Sequence, residues 1–480
     1  GPERRADHGD VPSPGDALMQ PAILIDGATI VTGDAAGTIH HDGTIAIEAD
    51  RIAAIGASAE LLARYPAATV INGRNRAVMP GFANTHTHLH LTLARGIFED
   101  MSSPNAPPFD AVNRLPLPRL SDEEHTVMCQ LGALEAIRSG TTALLEDNIG
   151  IARYARQLAD TGLRLVLAER AWDKAVGSIG GVEPFEASEA LADAGLERME
   201  RLHAEWHGAR GGRIAVGLAA WAPDMCSPRL LNRISSLREK LDAVCTIHLN
   251  QLWGEVAAVQ RERGCLPTEY LHAEGFLNDR VIAAHCRCMT CREENLLGRS
   301  GASVAFNSCI AARRGLSPRI AALQAAGCNI SIGTDNMAED MVEATRTAMF
   351  MERIRRTDGR EPTPEEAFGW ATRNGYRAMG MADGGVLAPG MKADLVVVRT
   401  DRPHLVPRMR LVSTFVHQGQ AADIESVMVD GAWIMRDGAV LTMDEAAIVD
   451  KADRIARRAW ARLLHDRPDL EVPPGFSPAP

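Results

Sequence analysis

A (β/α)8 TIM-type barrel of the α/β class, carrying a composite β-sandwich domain built from both ends of the chain, is what the 480-residue sequence predicts. Three observations carry that expectation. Between Asn84 and Arg377 short apolar runs of strand type alternate with amphipathic stretches of roughly 10 to 20 residues, the texture of βα units and a parallel sheet. Eight of those runs end in a polar or titratable residue, as strands do on the C-terminal face of a barrel where an active site sits. On either side the texture is β-rich, with Asp/Gly turns.

In chain order, residues 1–18 are rich in Pro, Asp and Arg without periodicity; Gly1-Pro2 has the look of a protease scar and Met19 of a native start, so this segment reads as a tag or disordered leader. Residues 19–79 form the first part of the sandwich, with β-type runs at 22–25, 44–47 and 51–55. The barrel is expected over 80–378, its strands being the His86 segment and the runs 142–147, 164–168, 213–218, 244–248, 281–285, 303–307 and 329–335. Amphipathic helices fall between them, for instance over 121–139 and over 318–326 before the stop at Gly327. The second part of the sandwich is read over 379–442, from runs at 394–398, 412–416 and 424–429. A C-terminal helix follows over 443–466, and a disordered tail over 467–480.

Composition excludes several classes. Apolar content of 46% and charged content of 24% are ordinary for a globular enzyme, and a net charge of −11 argues against a nucleic-acid or anionic-membrane partner. No apolar run approaches the roughly 18 residues of a membrane span. Nine cysteines, an odd number without framework spacing, suit reduced thiols in the cytoplasm. Cys286, Cys288 and Cys291 lack the spacing of a structural zinc site and read as incidental thiols.

The chemistry starts at His86 and His88. Side chains alternate on a strand, so residues at i and i+2 project to one side and can grip one ion, although such a pair also fits a solvated loop. His248 and Asp335 end two further strands. Three imidazoles and a carboxylate at one barrel mouth would hold a divalent ion with a position left for water, and His285 could hold or deprotonate that water.

At this point the chain resembles the amidohydrolase superfamily, in particular the mononuclear branch of cytosine, guanine and S-adenosylhomocysteine deaminases and triazine (atrazine) chlorohydrolases. The resemblance rests on residues 79–88 (MPGFANTHTH), 137–142 (IRSGTT), Ala222-Pro223, Ile247-His248, 283–286 (AAHC), 333–335 (GTD), 371–375 (ATRNG) and 387–395 (LAPGMKADL), and runs from about Ala22 to Leu441. It implies one divalent metal per chain, zinc with iron as the alternative, held by His86, His88, His248 and Asp335. It also implies a catalytic His285, Asp335 as ligand and proton acceptor, and a homodimer. Such an ion would supply a Lewis acid that lowers the pKa of bound water toward neutrality, for attack on an sp² ring carbon.

Three departures bear on function. Where the family has His-x-x-Glu, with the glutamate shuttling a proton, this chain has His248-Leu249-Asn250-Gln251, and an amide cannot accept and release that proton near neutral pH. Gln251 is assigned to the catalytic position and to substrate contact, and Glu255 is a possible substitute shuttle. Trp221 stands where many relatives have a substrate-contacting histidine, and its indole suits stacking on a planar substrate. Asn336 follows Asp335 where deaminases more usually have glycine. Trp221, Gln251, Asn336 and Asn307 are therefore the expected substrate contacts, with His90, Glu146 and Asp147 near the pocket. The expected activity is hydrolytic deamination of a small nitrogen heterocycle of nucleobase, pterin or triazine type. The alternative is displacement of chloride, an amine or a thiol, or a catalytically impaired ligand-binding protein.

Overall fold

The computed structural model describes residues 22–100 and 115–478. The expected leader over 1–18 and most of the loop between Met101 and Leu120 lie outside them. Eight parallel strands run β1 (Phe82–Thr87), β2 (Thr141–Asn148), β3 (Arg164–Ala171), β4 (Ile214–Ala220), β5 (Cys245–Leu249), β6 (Val281–His285), β7 (Ser303–Asn307) and β8 (Asn329–Gly333), each paired with the next. They are buried almost throughout, as befits strands covered on both faces.

The alternation of side chains sorts them into two apolar layers. Ala143, Leu145, Val166, Ala168, Ala219, Ile282, Ala284 and Ala305 share the cluster that fills the barrel. Leu144, Leu165, Leu167, Leu218, Ile247, Ala283, Val304, Phe306 and Ile332 belong to a larger cluster against the surrounding helices. Small residues dominate the inner layer because eight converging strands leave little room.

The barrel closes through main-chain bonds of Asp335: its N–H donates to His86 O at 2.9 Å, and its carbonyl accepts from His88 N at 2.7 Å. The seam between first and last strand is therefore made by residues expected to hold metal.

The two chain ends build one composite sheet, as expected. Its centre is the antiparallel pair Arg76–Pro80 and Leu395–Arg399, with Val78 opposite Val397. Strands Ile23–Val31, Ile39–Glu48 and Arg51–Ala57 extend it on one side, and Ile424–Val429, Ala432–Arg436 and Ala439–Val440 on the other. Ile45, Ile47 and Ile52 share one core with Met428 and Trp433. Only Gly81 separates this sheet from β1, and a Cβ there would lie 2.1 Å from the Thr142 side chain, so the crossing needs glycine.

Asp394 docks the sheet on the barrel. Its carboxylate accepts from Arg164 Nε (2.7 Å) and Nη2 (3.1 Å), from Tyr376 Oη (2.8 Å) and from Asp430 N (2.8 Å). The PGMKADL motif thus ends in a structural hub.

Two expectations are corrected. The run 412–416, read as a strand from its β-branched residues, lies in a helix, Leu411–Gln418, that buries Leu411, Val412, Phe415 and Val416. That spacing is helical, and the Phe415 ring stacks on Phe82 at 6.5 Å, so packing against the barrel's base outweighs local β-propensity. The stretch after helix Glu445–Asp466, read as a disordered tail, sets Phe476 edge-on against Trp460 at 5.7 Å, an aromatic contact that ties it down.

Asp394→Ala would leave Arg164 buried with only Asp430 beside it, and removing one partner of a buried pair costs about 3 kcal/mol. A lowered urea midpoint, with the metal-site residues untouched, is the expected outcome.

Candidate metal centre and cavity

Inward positions two residues beyond the last apolar layer carry the site. Leu145 is followed by Asp147, Ala168 by Arg170, Ala219 by Trp221 and Ala305 by Asn307, each on the inner side of its strand. Two places break the alternation. A bulge in β1 between Asn84 and Thr87 re-aims the chain so that His86 and His88 share the barrel mouth. His285 follows Ala284, an inner residue, and would point outward; His285 and Cys286 instead adopt φ of 79° and 54°. Two consecutive left-handed residues are strained, and they return the imidazole to within 5.4 Å of the His86 and His248 rings, centroid to centroid. Asp335 is left-handed as well, with φ of 72°.

Main-chain carbonyls fix two of the tautomers. His88 Nδ1 lies 2.7 Å from Asp147 O, and His248 Nδ1 lies 2.8 Å from Trp221 O. A carbonyl can only accept, so both Nδ1 atoms carry the proton and both Nε2 atoms present lone pairs. Those two Nε2 atoms face each other at 3.2 Å, with Asp335 Oδ1 at 3.4 Å from the former and 3.7 Å from His86 Nε2. Three acceptors converging in this way repel one another unless a cation lies between them. Both ring nitrogens of His86 and Oδ2 of Asp335 are moreover buried with no hydrogen-bond partner among the described residues. Imidazole nitrogens plus a carboxylate are the donor set of zinc and other divalent first-row ions, so the residues fit the metal that the sequence implies.

Burial sets the electrostatics. It pushes His86, His88 and His285 well below the ordinary histidine value and His248 down to about 3, so all four imidazoles are neutral. Burial raises Asp335 to about 6 against the pull of the Arg314 and Arg287 charges.

A cavity of about 430 Å³ opens above these residues, with His88, His248, Asp335, Gln251, Trp221 and Asn336 in its wall. Phe98, Leu115, Leu117 and Ile179 add an apolar side to the wall, and His90, Asn148, Arg170 and Ser178 a polar one. The Trp221 indole stands edge-on to Trp172 at 5.0 Å and lies beneath the Arg170 guanidinium at 5.7 Å. Oε1 of Gln251 and Oδ1 of Asn336 are buried acceptors without a partner among the described residues.

A model of the amidohydrolase family matches residues 77–434, from the last strand before the barrel to the far side of the composite sheet. The chain belongs to the amidohydrolase family. It is accordingly a metal-dependent hydrolase acting on C–N bonds, as the motifs led one to expect. A bacterial imidazolonepropionase-like composite domain matches residues 45–68. The 5'-deoxyadenosine deaminase of Methanothermobacter thermautotrophicus is 34% identical over 91% of this chain and 98% of its own. An adenosine deaminase from Xanthomonas campestris, solved with bound zinc, superposes with a TM-score of 0.80 at 25% identity, over 92% of this chain and 98% of that one. An atrazine chlorohydrolase from Arthrobacter aurescens TC1, solved with zinc, shares the fold with a TM-score of 0.78 at 20% identity, over 90% and 100% of the two chains.

The structure brings His86, His88, His248, His285 and Asp335 together, and sets Trp221, Gln251 and Asn336 on the cavity. Asn307, expected as a substrate contact, is not in the cavity wall: its Nδ2 donates to His285 Nδ1 at 3.1 Å. Glu255, weighed as a shuttle, accepts from Asn250 N at 2.8 Å and Gln251 N at 2.6 Å, so both oxygens hold the turn after β5. His90 lines the cavity, stacked on His125 at 4.7 Å, whereas Glu146 is sealed behind it by Thr87, Leu89, Asn148 and Tyr154. Sequence reasoning missed Arg170, whose Nε donates to Asp147 Oδ1 at 2.9 Å; the charged Glu169-Arg170 pair at the end of an apolar run was the available signal.

Because Trp221 touches His248 only through its carbonyl, Trp221→Ala is expected to leave metal content unchanged. It should still weaken binding of an aminated heterocycle about fivefold, the worth of a lost aromatic stack of about 1 kcal/mol. Metal analysis and calorimetry on the same preparation check both.

Proposed function

We propose that this protein is a zinc-dependent aminohydrolase that replaces the exocyclic amine of a planar nitrogen heterocycle with oxygen and releases ammonia. The single observation that carries the proposal is the convergence of the His88 and His248 lone pairs and Asp335 at the floor of the cavity. The names of its relatives, deaminases of adenosine derivatives, support a purine-like or related ring. In this reading His86, His88, His248 and Asp335 hold the ion, and when bound it supplies a Lewis acid that makes water acidic near neutral pH.

The chain's own groups do the rest. Asn307 donates to His285 Nδ1, so His285 keeps its proton on Nε2 and presents an N–H donor toward the reacting centre. Asp335 Oδ2, without a partner among the described residues, is the acceptor able to take a proton and return it to the departing amine. Gln251 hydrogen-bonds the ring but carries no proton, and Asn336 Oδ1 accepts from the exocyclic amine. Trp221 covers the ring face. The nine cysteines, none in a disulfide, fit a reducing cytoplasm, and the homodimer rests on the family resemblance. Among the described residues no helix is long and apolar enough to cross a membrane.

Protein as purified should contain about one zinc per chain by plasma mass spectrometry, and His248→Ala essentially none, since three remaining ligands bind far more weakly. No metal in either sample would overturn the proposal. Gln251→Glu places a carboxylate where a base can face the ring, and general acid–base assistance is worth about 10² to 10⁴ in rate. A gain of that size in ammonia release is expected; no gain would mean that Asp335 and His285 carry the proton unaided.

A further inference from the structure

Arg287 sits two residues beyond His285, and its main-chain N–H donates to Asn250 O at 3.0 Å, which pins it beside the turn that carries Gln251. The residue is 6% exposed, and Nε, Nη1 and Nη2 all lack a hydrogen-bond partner among the described residues. Burial lowers its pKa only to about 10, so the guanidinium stays charged at neutral pH. Arg164, buried to the same degree, is paired with Asp394 and Asp430. Around Arg287 the charges are Arg314, which repels it, Asp335, which attracts it, and Glu255, whose oxygens serve the backbone. Its main chain is fixed between His285, two residues before it, and the turn whose Gln251 stands on the cavity wall. A buried guanidinium with its donors unmet is costly unless an anion completes it, and its planar fork matches a carboxylate.

We propose that Arg287 anchors an anion subsite beside the reacting centre, and that the substrate is an aminated heterocycle bearing a ring carboxylate rather than a neutral base. The proposal rests on the aminohydrolase reading for the ring and the amine, and on Arg287 alone for the carboxylate.

The test uses zinc-loaded full-length protein. Thermal melts against sodium formate, at ionic strength held constant with chloride, should show a saturable rise in Tm for the wild type, because a ligand that binds only the native state stabilises it. Arg287→Met should melt higher than wild type without formate and show no response to it, while Arg287→Lys keeps a weaker response. Formate bound to the metal would act on all three proteins alike, so equal responses of wild type and Arg287→Met, or none, overturn the subsite. Calorimetry then compares paired carboxylates and carboxamides of aminopyrimidines, aminopurines and aminotriazines. A preference of about tenfold or more for the carboxylate, the size of one charge-assisted bidentate contact and lost in Arg287→Met, is expected. A formate response without that preference overturns the substrate assignment and leaves a resident counterion. Carboxylate preference without ammonia release from any compound would strike the aminohydrolase reading and leave the subsite standing.

Discussion

Closure of the barrel and assembly of the site are one event. Asp335 exchanges main-chain bonds with His86 and His88, so the seam between first and last strands exists only when these residues lie side by side. The same contact puts an acidic oxygen within 3.4 Å of a histidine nitrogen whose lone pair already faces that of His248. Eight strands of small inner residues hold the arrangement rigid, and burial keeps every imbalance of charge expensive. A cation held between the converging acceptors would offset their repulsion.

Around that seam the sequence spends its unusual backbone. The bulge in β1, the left-handed pair His285-Cys286 and left-handed Asp335 all lie at strand ends where alternation alone would aim side chains wrongly. Strain at these points is held by ordinary packing elsewhere. The composite sheet contributes from the opposite side: Asp394 joins Arg164 of the barrel to Tyr376 and Asp430, so a motif shared with the family works as a rivet far from the chemistry.

Departures in the polar shell give this member its character. An amide, Gln251, stands on the cavity wall, Glu255 accepts from the main chain of the turn after β5, and Asn307 donates to His285. Arg170 and Arg287 bring positive charge that the histidine motif does not foreshadow, the one paired with Asp147, the other without a side-chain partner among the described residues.

The eight strands, their order, the composite sheet and the strand-end positions of His86, His88, His248 and Asp335 were legible in the sequence alone. Each depends on a local signal, an apolar run ending in a polar residue, that short-range periodicity carries intact. Which polar residues face the cavity was decided by tertiary structure. The bulge and the left-handed residues change side-chain direction without changing composition, and Asn307 is claimed by a neighbour 22 positions away. Leu411–Gln418 became helical because its apolar residues meet the barrel on one face. Arg287 looked like one more charge in a loop; burial without an acceptor among the described residues distinguishes it, and burial is a property of the folded chain.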